Sequence, residues 1–326
     1  MARLPSEWRS CTLRGDPLLR SKPDSPLDDL LRARLRIPQG ADARLKGLRF
    51  AMQAVDLVSR GLSGQAFFAL RETEEVLIDL DGRTDTDLIW ALMARNGGTR
   101  INPIGLENIP IKGPVVIGST HPIGTFDFLA HAAGLLGHRP DLKVVANREA
   151  ERFLGADRIV PVDLDRSDAV LTARQTRAGM LEHLNTGGAL LVFGSGKVPD
   201  MRNGKLSEPE WRTGITRVSA AASAPIVPAS PDMRNSKHYY RTRKLARALS
   251  GGNEYIGREV ASLRYVSELL AKLGGSYDVH YGALQPPGTS AGELKRLAEA
   301  LVPNLYDQDG WGLTPEKNGR PMKNRP

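Results

Sequence analysis

At 326 residues the chain is long enough for one large α/β domain or two smaller ones, and 40% hydrophobic with 25% charged residues is the balance of an ordinary globular protein. A single cysteine, Cys11, excludes an internal disulfide and any multi-cysteine metal site. The net charge of +8 favours anionic partners: a phospholipid surface, an acidic carrier protein or, third, nucleic acid, for which the chain offers no basic-aromatic platform.

Residues 1–40 are rich in Pro, Arg, Ser and Asp without a sustained period, and read as a mobile arm. The opening MARLPSEWRSCTLRGD has basic residues but no apolar run of the secretory kind. No stretch approaches the ~18 apolar residues of a spanning helix. Residues 41–100 read as a helical extension. Leu45, Leu48, Ala51, Ala54 or Val55, and Val58 recur at three- and four-residue steps, with Lys46, Arg49 and Arg60 as basic flanks. Such a helix either packs on a core or lies on anionic lipid. Thr84 to Asp87 offers N-cap chemistry for a helix that Gly97-Gly98 would end.

From there strand and helix alternate. Buried strands are predicted at residues 114–119, 143–146, 159–162, 189–193 and 225–229, and helices at 126–136, 169–184 and 211–222. Residues 236–273 read as mostly helical and basic, and 277–284 as a late strand at a sheet edge. The expectation is an α/β domain over residues 101–290, with a mostly parallel mixed sheet flanked by helices. Residues 291–326 would form a C-terminal helix and a disordered tail, the tail starting after Pro303.

The chemistry concentrates in GPVVIGSTHPIGTFDFLAH. A buried strand ends at Ser119-Thr120, His121 follows at its carboxyl end, and Asp127 lies in the next helix. Open α/β sheets bind ligands beyond the carboxyl ends of their strands. A histidine there with a carboxylate six residues on has the parts for general base catalysis. The other five histidines have no comparable company and read as structural or surface residues. The Gly194-Ser195-Gly196-Lys197 stretch fits no other phosphate or nucleophile motif. Leu191 and Val198 break a phosphate loop, Pro199 breaks a dinucleotide fingerprint, and Phe193 and Lys197 stand where a hydrolase elbow needs glycine.

His121-Pro122-Ile123-Gly124-Thr125-Phe126-Asp127 resembles the first motif of the glycerolipid acyltransferases, which include lysophosphatidate and glycerol-phosphate acyltransferases. It matches the His-Pro-x-Gly-x-x-Asp form of their hemolysin-like or ornithine-lipid branch at each fixed position. Residues 144–163, 190–214 and 224–228 are similar to the family's later blocks, in the family's order. Two departures stand out: Thr120 where the branch usually has asparagine, and Phe193-Gly194-Ser195-Gly196-Lys197 in place of Phe-Pro-x-Gly-(Glu/Thr).

The resemblance implies acyl transfer from a thioester of coenzyme A or acyl carrier protein to a hydroxyl or amine of a lipid-like acceptor: a lysophospholipid, glycerol phosphate or a lyso-amino-acid lipid. His121 would be the base and Asp127 its orienter. Asn147 and Arg148 would border the site, and Phe193, Gly194, Ser195, Gly196 and Lys197 would hold the acceptor. Amides of Gly194 to Gly196 are candidate oxyanion donors. Arg148, Arg152, Arg202, Lys205, Arg212 and Arg217 are further cations for a phosphate. The pattern implies no metal and no cofactor beyond the co-substrate thioester. A cytoplasmic protein, peripheral on the inner face of an anionic membrane, is expected, and nucleic acid is not. The altered third motif leaves a second reading, a catalytically silent relative that binds lipid or carrier protein.

Overall fold

A computed structural model of the chain describes residues 25–308, apart from 36, 148–149 and 163–168. Four helices come first: α1 (Pro26–Leu35), α2 (Asp42–Ser63), α3 (Leu70–Asp79) and α4 (Asp85–Met93). β1 (Arg100–Ile104), β2 (Val115–Ser119), α5 (Thr125–Leu135), β3 (Lys143–Ala146), α6 (Glu151–Leu154) and β4 (Ile159–Pro161) follow. Then come α7 (Ala169–Asn185), β5 (Ala189–Phe193), a hairpin of β6 (Asp200–Arg202) and β7 (Lys205–Ser207), α8 (Gly214–Ala221) and β8 (Ile226–Pro231). The chain closes with α9 (Lys237–Leu249), α10 (Glu254–Ser262), α11 (Tyr265–Lys272), β9 (Ser276–Tyr281) and α12 (Ala291–Ala300).

Seven strands form one sheet in the order β1-β9-β8-β2-β5-β3-β4. All neighbours are parallel except β8 and β9, which run opposite to one another. The expected mostly parallel mixed sheet is therefore present. Its central strands carry apolar residues at consecutive positions because both faces are covered. With a period of two, Ile117, Leu191 and Val227 point to one face, against α4 and α5. Val116, Leu190 and Ile226 point to the other, against α7, α8 and α12.

Several expectations are corrected. The late strand is not at an edge: β9 lies between β1 and β8, and the edge is β1, which the sequence pattern missed. Its Pro103, and its alternation of exposed and half-buried positions, are those of an edge strand. The helix expected from Trp211 begins at Gly214, because Trp211 is spent in the core outside it. Within the expected arm, residues 26–35 are helical, and Leu27, Leu30 and Leu31 pack against Leu45 and Leu70. After Pro303, residues 304–308 are ordered and carry Tyr306, fully buried; the remainder of the expected tail lies outside the described residues. Thr84 does occupy the N-cap of α4 but makes no side-chain cap bond, and Asp85 is held by Arg158 instead.

Candidate active site

The site stands where β2 leaves the sheet. Thr120 is pinned to β8, its amide donating to the Ala229 carbonyl at 3.2 Å and its hydroxyl lying 2.9 Å from that of Ser230. The chain then turns through His121 and Pro122 to Gly124. Gly124 has φ +103° and ψ −121°, a conformation glycine alone adopts freely, and Tyr265 packs where a side chain would stand. That turn starts α5.

Asp127, three residues in, reaches back over the helix N-terminus. Its Oδ2 accepts from the amides of Ile123 and Gly124, each at 2.9 Å. The carboxylate is fully buried, and the same oxygen lies 2.8 Å from Nδ1 of His121. The two atoms are at contact distance but out of hydrogen-bond alignment, so a small rotation of the ring completes the bond. With Nδ1 turned to the carboxylate, Nε2 is the nitrogen left for a substrate proton.

Two further contacts hold the imidazole and its turn. Phe193, the last residue of β5, stacks on the His121 ring with centroids 4.1 Å apart and planes 24° off parallel. Asn235 donates its amide to the carbonyls of Pro122 (3.2 Å) and Ile123 (3.1 Å). Sequence reasoning missed Asn235, and no local signal marks it, since it acts across 112 residues.

Beneath the pair lies His131. It is fully buried, with Nε2 2.9 Å from the Ser119 hydroxyl and Nδ1 3.1 Å from that of Tyr281. Burial first, and the nearby His121 second, push its pKa down to about 3. It is thus a neutral strut, not a second base. His138 and His183 are likewise structural, bonded to the backbone carbonyls of Ile109 and Ala189.

The loop after β5 crosses the same end of the sheet. Among its expected oxyanion donors, the Gly194 amide is engaged by the Ser119 carbonyl at 3.0 Å and that of Gly196 by the Phe193 carbonyl at 3.1 Å. Among the described residues this leaves the Ser195 amide. The Ser195 side chain faces inward, 2% exposed, so its hydroxyl organises the loop and does not meet an acceptor. It donates to the Lys197 carbonyl at 3.0 Å and accepts from the Lys197 amide at 3.2 Å. Gly194 is buried against Trp211, where an added Cβ would come within 1.9 Å of the indole.

Lys197 is exposed at the rim. Partial burial, then Arg258 and Arg212, pull its ammonium below the usual lysine range, so three cations share this corner. Arg258, from α10, was not among the cations singled out from sequence; Arg202, Lys205 and Arg217 are exposed. Asn147 is exposed at the carboxyl end of β3, on the same end of the sheet as His121. Arg148 and the Arg152 side chain lie outside the described residues.

A base held by a buried carboxylate, stacked on an aromatic ring and flanked by a cationic rim, is equipped to deprotonate a nucleophile carried by an anionic molecule. No family model matches the chain. A lyso-glycine lipid O-acyltransferase of Bacteroides thetaiotaomicron is 25% identical over 181 residues, which are 55% of this chain and 63% of that protein. A second protein of that name, from Phocaeicola vulgatus, is 24% identical over 168 residues, 51% of this chain and 57% of its own. The chain thus spans less than two thirds of the length of either relative. A solved structure of the 1-acyl-sn-glycerophosphate acyltransferase from Thermotoga maritima overlaps 85% of each chain at 15% identity, with a TM-score of 0.37.

Proposed function

We propose, from its relationship to the glycerolipid acyltransferases, that this chain transfers an acyl group from a thioester of coenzyme A or acyl carrier protein to a hydroxyl or amine of a lyso-lipid acceptor. The observation that carries the reading is the His121–Asp127 pair: a carboxylate anchored by two backbone amides, 2.8 Å from the imidazole, at the carboxyl end of a central strand.

In this reaction Nε2 of His121 takes the proton of the acceptor hydroxyl or amine as its heteroatom attacks the thioester carbonyl. Asp127 holds the Nδ1–H tautomer and offsets the charge of the imidazolium. The negative charge passes to the carbonyl oxygen, for which the Ser195 amide is the candidate donor left among Gly194 to Gly196. Collapse of the tetrahedral intermediate re-forms the carbonyl and breaks the carbon–sulfur bond. The thiolate leaves with the proton that His121 carries, so the base is restored without an acyl-enzyme. Lys197, Arg212 and Arg258 supply the charge to hold an acceptor phosphate or carboxylate beside the base.

The acceptor would be met at an anionic membrane. α2 presents Phe50, Val55, Leu57, Val58 and Leu62 to solvent, and α9 adds Leu245 and Leu249 among the exposed Lys237, Arg241 and Lys244. Val55, Val58, Leu62, Phe67 and His238 line an apolar groove. No helix among the described residues is long and apolar enough to cross a membrane, so this surface would bind on one leaflet.

The deciding experiment is thioester consumption by purified protein, with acyl-coenzyme A and acyl carrier protein each offered beside a panel of lysolipid and glycerol acceptors. Acceptor-dependent thiol release should fall at least ~10²-fold in His121→Ala. Full activity in that variant sinks the mechanism. Lipid binding without turnover on any pair would favour the silent relative.

A further inference from the structure

A buried acid lies under the loop beside the base. Glu208 follows β7 and is only 5% exposed. Its Oε1 accepts from the Trp211 indole N–H at 3.2 Å, while its Oε2 is buried without a hydrogen-bond partner. Among its polar neighbours the Ser195 hydroxyl acts on it most strongly, and in the direction that favours the charged carboxylate. Both neighbours belong to the floor of the loop. Trp211 is the surface on which Gly194 rests, and the Arg212 amide donates to the Gly194 carbonyl at 2.9 Å. Ser195 closes the turn onto Lys197. The loop in turn continues from Phe193, which stacks on His121.

We infer that Glu208 is a positioning residue: through Trp211 and Ser195 it sets the course of the Gly194–Lys197 loop past His121, and so where the Lys197 end of the loop meets an acceptor. This rests on the acyltransferase reading only for its kinetic consequence.

The chemistry asks for the neutral acid. The single proton of Ser195 is committed to the Lys197 carbonyl. While that bond stands, Ser195 Oγ can engage Glu208 only as an acceptor, and the carboxyl must bring the proton. Protonated, Glu208 accepts from Trp211 with one oxygen and carries on the other, otherwise unpartnered, oxygen a proton that Ser195 Oγ is free to accept. Ionised, it competes with the Lys197 carbonyl for the serine proton and loosens the turn.

Its surroundings favour the neutral form. Glu299 on α12 faces it with a like charge, and the Tyr306 phenol, buried just after α12, lies close enough to feel a charge on Glu208. Lys295, the cation on α12 that opposes this, is bonded to Glu210 at 2.8 Å. Burial first, and Glu299 among its neighbours, push Glu208 up to about 8. The loop is then largely held at neutral pH and released as the medium turns alkaline.

Two measurements on the full chain test this. The first needs no activity: Trp211 fluorescence against pH, with Trp211→Phe as the control for the other tryptophans, together with amide hydrogen exchange over residues 194–197. The wild type should titrate near pH 8 and exchange faster above it. Glu208→Gln, which keeps an acceptor for the indole and a permanent donor for Ser195, should lose the titration and keep the loop slow to exchange. The second is steady-state kinetics with a lysophospholipid and acyl-coenzyme A. Glu208→Ala should raise the acceptor KM about tenfold with a smaller change in kcat, and Glu208→Gln should recover most of that loss and flatten the alkaline rise in KM.

A titration that persists in Glu208→Gln, or loop exchange indifferent to both substitutions, overturns the inference. If no acceptor is turned over by the wild type, the acyltransferase reading fails separately, and the fluorescence and exchange results still decide the role of Glu208. If Glu208→Ala does not fold, the wild-type and Glu208→Gln titrations carry the decision.

Discussion

Asp127 does two things at once with one oxygen: it caps α5 through two amides and faces His121. Asp127→Asn should therefore split by readout. The amide can turn its oxygen to the two backbone donors, which keeps the helix start and an acceptor beside His121, but it removes the negative charge that offsets the imidazolium and buries its NH2 where Oδ1 has no partner. The proposed transferase turnover should drop by about 10²- to 10⁴-fold, while thermal stability falls by only about 1 kcal/mol. A large loss of melting temperature with retained turnover would reverse these roles.

The buried His131 and Glu208 add a pH dependence of stability whose sign differs between them. His131 stays neutral in the fold to about 3, against an ordinary 6.5, so the unfolded chain binds the extra proton between those values. Its contribution is complete above 6.5 and is lost as pH falls through that window. Glu208 keeps its proton in the fold up to about 8, against an ordinary 4.5, so its contribution is lost as pH rises from 4.5 to 8. Each window has a slope of about 1.4 kcal/mol per pH unit. The two oppose one another between 4.5 and 6.5. Their sum predicts a plateau there, with decline on both sides. Denaturant unfolding across pH should show Glu208→Gln removing the alkaline decline and His131→Gln reducing the acid one. A decline of wild-type slope above pH 6.5 in Glu208→Gln would refute the first part.

At the scale of elements, α2 is turned with its polar pins inward. Arg49 is buried between Asp28 and Glu74, at 2.7 and 2.6 Å. Asp56 is buried and accepts from the amides of Phe68, just before α3, and Leu70, its first residue. Only the N-terminal part of the expected apolar stripe, around Leu45, packs inward; Ala51, Val55 and Val58 are exposed. Phe50, Leu57 and Leu62 can therefore be changed together to serine with less than about 0.5 kcal/mol of lost stability each, since they are exposed in the folded state. The same variant should lose sedimentation with anionic vesicles. Unchanged vesicle binding would move the lipid contact elsewhere. The loop after β5 gives the opposite case: Gly194→Ala forces the methyl group into the Trp211 ring and should cost about 1–3 kcal/mol by overpacking, with acceptor affinity falling alongside.

Across the whole molecule, the site is assembled by segments that close on each other late in the chain. Tyr306 is fully buried, near Thr120 and Ser230 and within reach of the Glu208 and Asp127 charges. The last described segment thus seals the floor under the first motif. Tyr306→Ala should cost about 3 kcal/mol, as large aromatic truncations do, and should impair turnover at temperatures where the protein remains folded. A neutral effect on both would show that this floor is dispensable.

Much of this was legible in one dimension. β3 and β5 have the predicted bounds, and β2 and α5 differ by a residue, because a strand covered on both faces needs an unbroken β-branched or aliphatic run bounded by turn residues. The His121–Asp127 pair was readable because both partners sit on one strand–turn–helix unit, where local geometry sets their distance. What only the tertiary structure decided are contacts between segments far apart in sequence: β9 beside β1, Asn235 on the Pro122 carbonyl, Glu208 under Ser195, and Tyr306 beneath Thr120. Sequence periodicity reports which face of an element is buried but not what it is buried against. An inward-turned Ser195 and an outward-turned α2 follow from partners that pattern alone does not name.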